Sequence, residues 1–102
     1  MTTSDLKLLS IKQINDNLEK FPNWSLDDNG AAVVRTFVFE NFISALEFVN
    51  KVAKIAEFEG HHPDIRIYGY KNVEIKLSTH SVGGLTDKDF DVVSGIDGLA
   101  VT

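Results

Sequence analysis

The sequence predicts an α+β domain in which helices pack on one face of a four-stranded antiparallel sheet, in the order α-β-β-α-β-β-α. Three observations predict this class. Apolar residues recur with a helical period over 41–59, strand-like alternation occurs on both sides of that segment, and shorter helical patterns lie near the two ends. A chain of 102 residues without a repeat or a linker is expected to form one domain over 1–102.

The first third of the chain contains the signals of a helix followed by a hairpin. Ser10 and Gln13 have the spacing of a capping box, and apolar residues then recur at helical intervals. A helix is therefore expected over the ten residues that follow Ser10. A short strand at 24–26 is expected to pair with a strand within 31–39, across the turn sequence Asp27-Asp28-Asn29-Gly30.

The central segment 41–59 predicts a long helix, because its apolar residues fall on one face of a helical wheel. These residues are Phe42, Ala45, Leu46, Val49, Val52, Ala53 and Ala56. Gly60 follows at the position of a helix-ending left-handed residue. Phe48 and Ile55 lie beside the apolar face and widen it, which indicates either a well-covered core helix or an edge that packs against another subunit.

A second hairpin is predicted after the long helix. Apolar and polar residues alternate around Ile65 and again over 73–79, as they do in half-buried strands. Lys71-Asn72 is the expected turn between the two strands. His80 follows the second strand on its polar side, so we expect this side chain to lie outside the core.

The last helix is expected to begin at Thr86, with Asp89 at the capping-box position. Phe90, Val93, Ile96 and Ala100 would supply its apolar surface. Gly95 and Gly98 lower the helix propensity by about 1 kcal/mol each relative to Ala. They indicate either close packing against a neighbour or a frayed end, and the sequence does not decide between them.

Composition argues against several classes of function. The formal net charge is −5 and the Lys and Arg residues are scattered, so no basic surface for nucleic acid is expected. No cysteine is present, and no run approaches the roughly 20 apolar residues that cross a bilayer. The first residues do not resemble a signal peptide. We therefore expect a cytoplasmic protein, with an additional nuclear location left open.

The chemistry-bearing residues concentrate in the second half of the chain. The three histidines are His61, His62 and His80. Glu57 precedes His61 by four residues at a helix end, within side-chain reach of it, and Asp89 lies soon after His80. Each has an ordinary structural explanation when taken singly, as a surface loop, a solvated helix residue or a helix cap.

Taken together, the spacing of these residues resembles the signature of the pterin-4a-carbinolamine dehydratases. The residues that carry the resemblance are Glu57, His61-His62-Pro63, Tyr70, His80 and Asp89, with looser matches at Trp24, Phe37-x-Phe39-x-x-Phe42 and Gly83-Gly84-Leu85-Thr86. Family members dehydrate the 4a-hydroxy-tetrahydropterin that aromatic amino-acid hydroxylases release. The resemblance implies this reaction, in tetrahydrobiopterin recycling, without a metal or another cofactor.

The resemblance also implies roles for individual residues. His61 would be the principal acid/base at the 4a-hydroxyl, His80 would make the complementary proton transfer, and His62 would orient the substrate. Glu57 would hold the His61 imidazole, and Asp89 would do the same for a second histidine. The pterin would contact His61, His62 and His80 together with Trp24, Gly60, Ser78, Thr79 and Ser81. Gly60 and Ser81 stand where many family members have polar or acidic residues.

Two other functions compete with this interpretation. A binding module would use the fold as a dimerisation cofactor of a transcription factor, as vertebrate relatives do, but it would not need three histidines at enzyme spacing. A metal site built from His61, His62, His80 and a carboxylate would require the first two to converge on one ion, which adjacent side chains rarely do. The remaining expectation is self-association as a dimer or tetramer, partly through Phe48 and Ile55, because so small a domain gains stability from additional burial.

Overall fold

A computed structural model describes residues 6–99. In chain order the elements are α1 (Ile11–Lys20), β1 (Ser25–Leu26), β2 (Val33–Val38), α2 (Phe42–Glu59), β3 (Asp64–Tyr68), β4 (Asn72–Leu77), a short 3-10 helix (His80–Val82) and α3 (Asp87–Asp97). The predicted fold class and element order are confirmed, while Ala100 lies outside the described residues. Within residues 6–99, no helix is both long enough and apolar enough to span a bilayer.

The four strands form one antiparallel sheet in the order β1-β2-β4-β3. The register pairs Val33 with Leu77 at one end of β2 and β4, and Val38 with Asn72 at the other. Strand β3 pairs with the opposite edge of β4, from Asp64 beside Lys76 onwards. The start of β3 and the end of β4 therefore lie at the same end of the sheet, where the loop containing His61 and His62 enters.

The core lies between one face of the sheet and the helices. The inward side chains of β4, Val73, Ile75 and Leu77, have no solvent exposure. Helix α2 covers them with a buried face of Ala45, Phe48, Val52 and Ala56, and α3 adds Phe90, Val92, Val93 and Ile96. The other face of the sheet is mostly polar, and the three helices all pack on the apolar face, as predicted.

Phe48 and Ile55 do not form the outward edge of α2 that the sequence suggested. The ring of Phe48 is buried, 4.6 Å from the ring of Phe37 and 5.0 Å from that of Phe39. Ile55 is half-buried against α3, where a Cβ on Gly95 would lie only 2.7 Å from its Cγ2 atom. The expected subunit contact through these two residues is therefore wrong, and Gly95 permits the close packing of α2 and α3.

Two local predictions also differ from the structure. The β3–β4 turn is formed by Gly69, Tyr70 and Lys71, with φ of 53° at the first two, so only Asn72 of the predicted turn pair lies outside it, in β4. Strand β4 ends at Leu77, earlier than predicted, because Thr79 bridges to Gly84 and the chain coils into the 3-10 helix.

Helix ends near the loop of His61 follow the predicted capping. Gly60 adopts the left-handed conformation, with φ of 64°, and its N–H bonds the end of α2. Thr86 and Asp89 form the predicted capping box of α3, in which each side chain bonds the backbone at the other residue. These ends direct the segments that contain His61 and Asp89 toward one another.

The contact between Gly95 and Ile55 gives a test of helix packing. We expect Gly95→Ala to lower the free energy of unfolding by about 1–3 kcal/mol, despite the better helix propensity of Ala, because the β-branched Ile55 side chain is stiff. Chemical denaturation measures this change. The exposed neighbour Ser94, changed to Ala, should alter stability by less than about 0.5 kcal/mol. Ile55→Ala should remove the penalty in a double variant, and stabilisation by Gly95→Ala alone would contradict the packing.

Candidate active site

A pocket of about 520 Å³ lies where the C-terminal ends of α2 and β4 meet the N-terminal end of α3. All three histidines of the chain line it. The predicted site residues in its lining are Gly60, His61, His62, Ser78, Thr79, His80 and Ser81. The fold thus brings together side chains from two segments that are separated by the whole β3–β4 hairpin.

His61 is anchored by a buried carboxylate. Its Nε2 atom lies 2.6 Å from Oδ1 of Asp89, and the His61 side chain is 13% exposed while that of Asp89 has no exposure. The second oxygen of Asp89 accepts hydrogen bonds from the Thr79 hydroxyl at 2.7 Å and from the Thr86 N–H at 2.9 Å. An ionised Asp89 can only accept hydrogen bonds, so its contact through Oδ1 requires His61 Nε2 to carry the hydrogen. Nδ1 is then the nitrogen left for chemistry.

His62 pairs with a different carboxylate. Its Nε2 atom contacts Oε2 of Glu57, and both side chains are mostly exposed, at 63% and 76%. The predicted pairing of Glu57 with His61 is therefore wrong. The four-residue spacing applies only within a continuous helix, whereas α2 ends at Glu59 and Gly60 turns His61 toward α3. An exposed pair of this kind adds little stability.

His80 begins the 3-10 helix and is exposed, as expected from its position after the polar side of the strand. Thr79 precedes it and is almost fully buried, at 3% exposure. The two neighbours therefore face different surroundings: Thr79 contacts the buried carboxylate of Asp89, and His80 contributes to the wall of the pocket. Ser78 is fixed one step earlier, where its hydroxyl donates to the carbonyl of Ala31 at 2.7 Å.

Trp24 does not reach this pocket, although the sequence analysis placed it there. It is buried in the core, and its indole N–H donates to Oδ1 of Asp97 at 2.8 Å. The same carboxylate oxygen lies 2.8 Å from the Arg35 guanidinium. Trp24, just before β1, and Arg35 of β2 thus contact the C-terminal end of α3, remote from the N-terminal end that borders the pocket.

The pocket also contains residues that the sequence analysis missed: Leu6, Glu59 and Lys88. The ammonium of Lys88 donates to the backbone carbonyl of Glu59 at 3.2 Å, so a side chain of α3 satisfies the C-terminal end of α2. Glu59 and Lys88 directly precede two predicted site residues, Gly60 and Asp89. In the sequence, these two charged helix residues look the same as ordinary solvated surface residues.

The arrangement is suited to proton transfer. Within residues 6–99, no group of three or more His, Asp or Glu side chains is placed to hold a metal ion. Histidine can donate or accept a proton near neutral pH, and two of the three imidazoles are oriented by carboxylates. The volume lies within the range of about 300–1,000 Å³ that is usual for small-molecule sites.

Comparisons with known proteins agree with the resemblance seen in the sequence. Residues 7–99 match the family described as pterin 4 alpha carbinolamine dehydratase. A Picosynechococcus protein that carries this enzyme name provisionally is 47% identical over 91 residues, covering 89% of this chain and 96% of the relative. The mitochondrial pterin-4-alpha-carbinolamine dehydratase 2 of Arabidopsis thaliana is 38% identical over 95% of this chain, which spans 53% of that longer protein.

Two solved structures share the fold. A Brucella melitensis protein, described as a transcriptional coactivator/pterin dehydratase, superposes with a TM-score of 0.85 at 30% identity. The superposition covers 92% of this chain and 99% of the Brucella one. A pterin dehydratase-like protein identified as a RuBisCO assembly factor gives a TM-score of 0.63 at 22% identity, covering 78% and 92% of the two chains, and this shows likeness of fold alone.

Removing the carboxylate charge should destabilise the protein much more at the buried His61–Asp89 pair than at the exposed His62–Glu57 pair. Asp89→Asn should lower the free energy of unfolding by about 2–5 kcal/mol, because the amide cannot accept from all of its buried donors. Glu57→Gln, the exposed counterpart, should change it by less than about 1 kcal/mol. Denaturation of both variants measures the difference. Equal effects would contradict the buried network around His61.

Proposed function

The chain belongs to the pterin-4a-carbinolamine dehydratase family, and we propose that it converts 4a-hydroxy-tetrahydropterin into quinonoid dihydropterin and water by histidine acid/base catalysis. The observation that carries this proposal is the convergence of all three histidines on one pocket, with His61 anchored by the buried Asp89. The enzyme would accordingly be a hydro-lyase, the class to which its named relatives belong.

The reaction requires two proton transfers and no net transfer of electrons to or from the protein. The 4a-oxygen must gain a proton to leave as water, and N5 must lose one as the double bond forms. We assign the first transfer to His61, which must carry hydrogen on both ring nitrogens so that Nδ1 can give a proton while Nε2 stays bonded to Asp89. The second transfer is assigned to His80, whose neutral ring accepts the proton of N5. These residues come from different segments of the chain, so a flat substrate between them could meet a donor and an acceptor at separate atoms.

The remaining lining residues would bind and orient the pterin. His62 is more exposed than His61 and is assigned to orientation, with Glu57 holding its ring. Gly60, Ser78 and Ser81 would contact the bicyclic ring through backbone and hydroxyl groups. Trp24 is removed from the proposed contacts because it lies in the core.

The biological role that fits this chemistry is tetrahydrobiopterin recycling. A hydroxylase that uses a tetrahydropterin releases the carbinolamine, and the dehydratase restores a form that a reductase can use. We propose a cytoplasmic location for this role, as the composition suggested. The Arabidopsis relative is named as mitochondrial, so the compartment of each family member must be measured separately.

A role as a dimerisation cofactor of a transcription factor is the second candidate function. It is favoured by the description of the Brucella protein, which names a coactivator as well as a dehydratase. A binding role of this kind does not depend on the histidines. Turnover by the purified chain therefore separates a catalytic protein from a purely binding one.

We also propose self-association, through a different face of α2 from the one the sequence suggested. Ile43 and Phe58 lie at opposite ends of this face and are 63% and 87% exposed. Glu47, Asn50 and Lys54 lie between them on the same helical stripe. An antiparallel copy related by a two-fold axis near Asn50 would place Phe58 on Ile43 and Lys54 beside Glu47, which makes the face self-complementary.

The catalytic assignment predicts the behaviour of two histidine variants. His61→Ala and His80→Ala should each lower kcat by about 100-fold or more, the usual scale for a lost general acid or base. A stopped assay of synthetic 4a-hydroxy-tetrahydropterin measures the rates above spontaneous dehydration, and circular dichroism checks that the fold is retained. Wild-type turnover by the double variant would rule out the proposed site.

The self-association proposal predicts a charge-dependent dimer. Phe58→Lys should lower the oligomeric state seen by sedimentation equilibrium, because a charge would be buried against Ile43. Val38→Lys, at an apolar residue on the sheet that is 64% exposed, should leave the oligomeric state unchanged. Glu47→Lys should weaken association and a second change, Lys54→Glu, should restore it. A wild type that is monomeric at micromolar concentration would refute the interface.

A further inference from the structure

Two threonine hydroxyls link the segment of His80 to the carboxylate that anchors His61. The Thr79 and Thr86 oxygens are 2.8 Å apart among buried residues, and the Thr79 oxygen also lies 2.7 Å from Oδ2 of Asp89. The same oxygen of Asp89 accepts from the Thr86 N–H. Within residues 6–99, every buried side-chain nitrogen and oxygen has a hydrogen-bond partner.

Counting hydrogens gives this network a direction. A threonine hydroxyl has one hydrogen to donate, and ionised Asp89 can only accept, so the Thr79 hydroxyl must donate to Asp89. Thr86 must then donate its own hydrogen to the Thr79 oxygen, while its oxygen accepts from the N–H of Lys88 at 3.3 Å. The hydrogen bonds therefore run from α3 through Thr86 and Thr79 to Asp89, which in turn accepts from His61.

Thr79 has no hydroxyl hydrogen left for a substrate, although it lines the pocket. Its backbone performs a second task, since its carbonyl accepts from Val82 and Gly83 at 3.2 and 3.0 Å and its N–H donates to Gly84 at 2.8 Å. These bonds form the 3-10 turn that begins with His80. One residue thus holds the anchor of His61 with its side chain and the turn of His80 with its backbone.

We infer that Thr79 is a positioning residue for the dehydration: its hydroxyl fixes Asp89, and through Asp89 the His61 ring, without contacting the substrate. The expected effect on kcat rests on the proposed function, whereas the expected effect on the His61 ring does not. Loss of the hydroxyl removes one donor from Asp89 and the acceptor of Thr86, so the carboxylate is no longer held for His61. Substrate contacts are left in place.

The test compares Thr79→Val, which has nearly the same shape without a hydroxyl, with Thr79→Ser, which keeps the hydroxyl. Thr79→Val should lower kcat by at least about 10-fold with KM within about 3-fold, because orientation and not binding is lost. Thr79→Ser should remain within about 3-fold of wild type in both constants. Imidazole ¹⁵N shifts, recorded while the His61 ring is neutral, should show hydrogen on Nε2 alone in wild type and Thr79→Ser, and a mixture of the two tautomers in Thr79→Val.

The possible outcomes distinguish the positioning role of Thr79 from the proposed function. A raised KM with unchanged kcat would make the hydroxyl a substrate ligand, and an unchanged His61 spectrum in Thr79→Val would show that it does not act through Asp89; either result overturns the inference. If Thr79→Val fails to fold, hydrogen exchange in the wild type decides, since the Thr79 hydroxyl proton must be protected. An inactive wild type with the expected spectra would refute the proposed function alone.

Discussion

Asp89 is a carboxylate without solvent contact, and such a group is tolerated only where the protein supplies its hydrogen-bond donors. The donors come from three places in the chain: His61 after α2, Thr79 after β4, and Thr86 at the start of α3. One side chain therefore caps a helix and joins three segments. The position of His61 in the pocket depends on this convergence, because Asp89 is the buried partner that holds its ring.

The sheet determines where these segments meet. In the antiparallel register, the entry to β3 and the exit from β4 lie at the same end, so residues 60–63 and 78–81 are brought together although the hairpin separates them. Packing of α2 and α3 on the same face then places the end of one helix beside the start of the other. The Lys88 bond to Glu59 and the close approach of Gly95 to Ile55 hold both ends of α3 against the last turns of α2.

Features of the fold that depend on local sequence were predictable. Ser10 with Gln13, and Thr86 with Asp89, formed the expected capping boxes, and Gly60 ended α2 in the expected conformation. Contacts between distant segments were not. Helical spacing suggested Glu57 for His61, but the turn at Gly60 makes that spacing irrelevant.

Burial was equally difficult to read from periodicity alone. Phe48 was expected at the edge of α2, yet two phenylalanines of the β2 region cover it. Trp24 was one of the looser matches to the family. Its role in the core, bonded to Asp97, explains the residue without any contact to a substrate.

His61 and His62 are adjacent in the chain but have different surroundings, since His61 pairs with a buried acid and His62 with an exposed one. A buried partner fixes a ring more firmly than an exposed one that water can replace, so the geometry favours His61 for the step that demands accurate alignment and His62 for adaptable contact with the substrate.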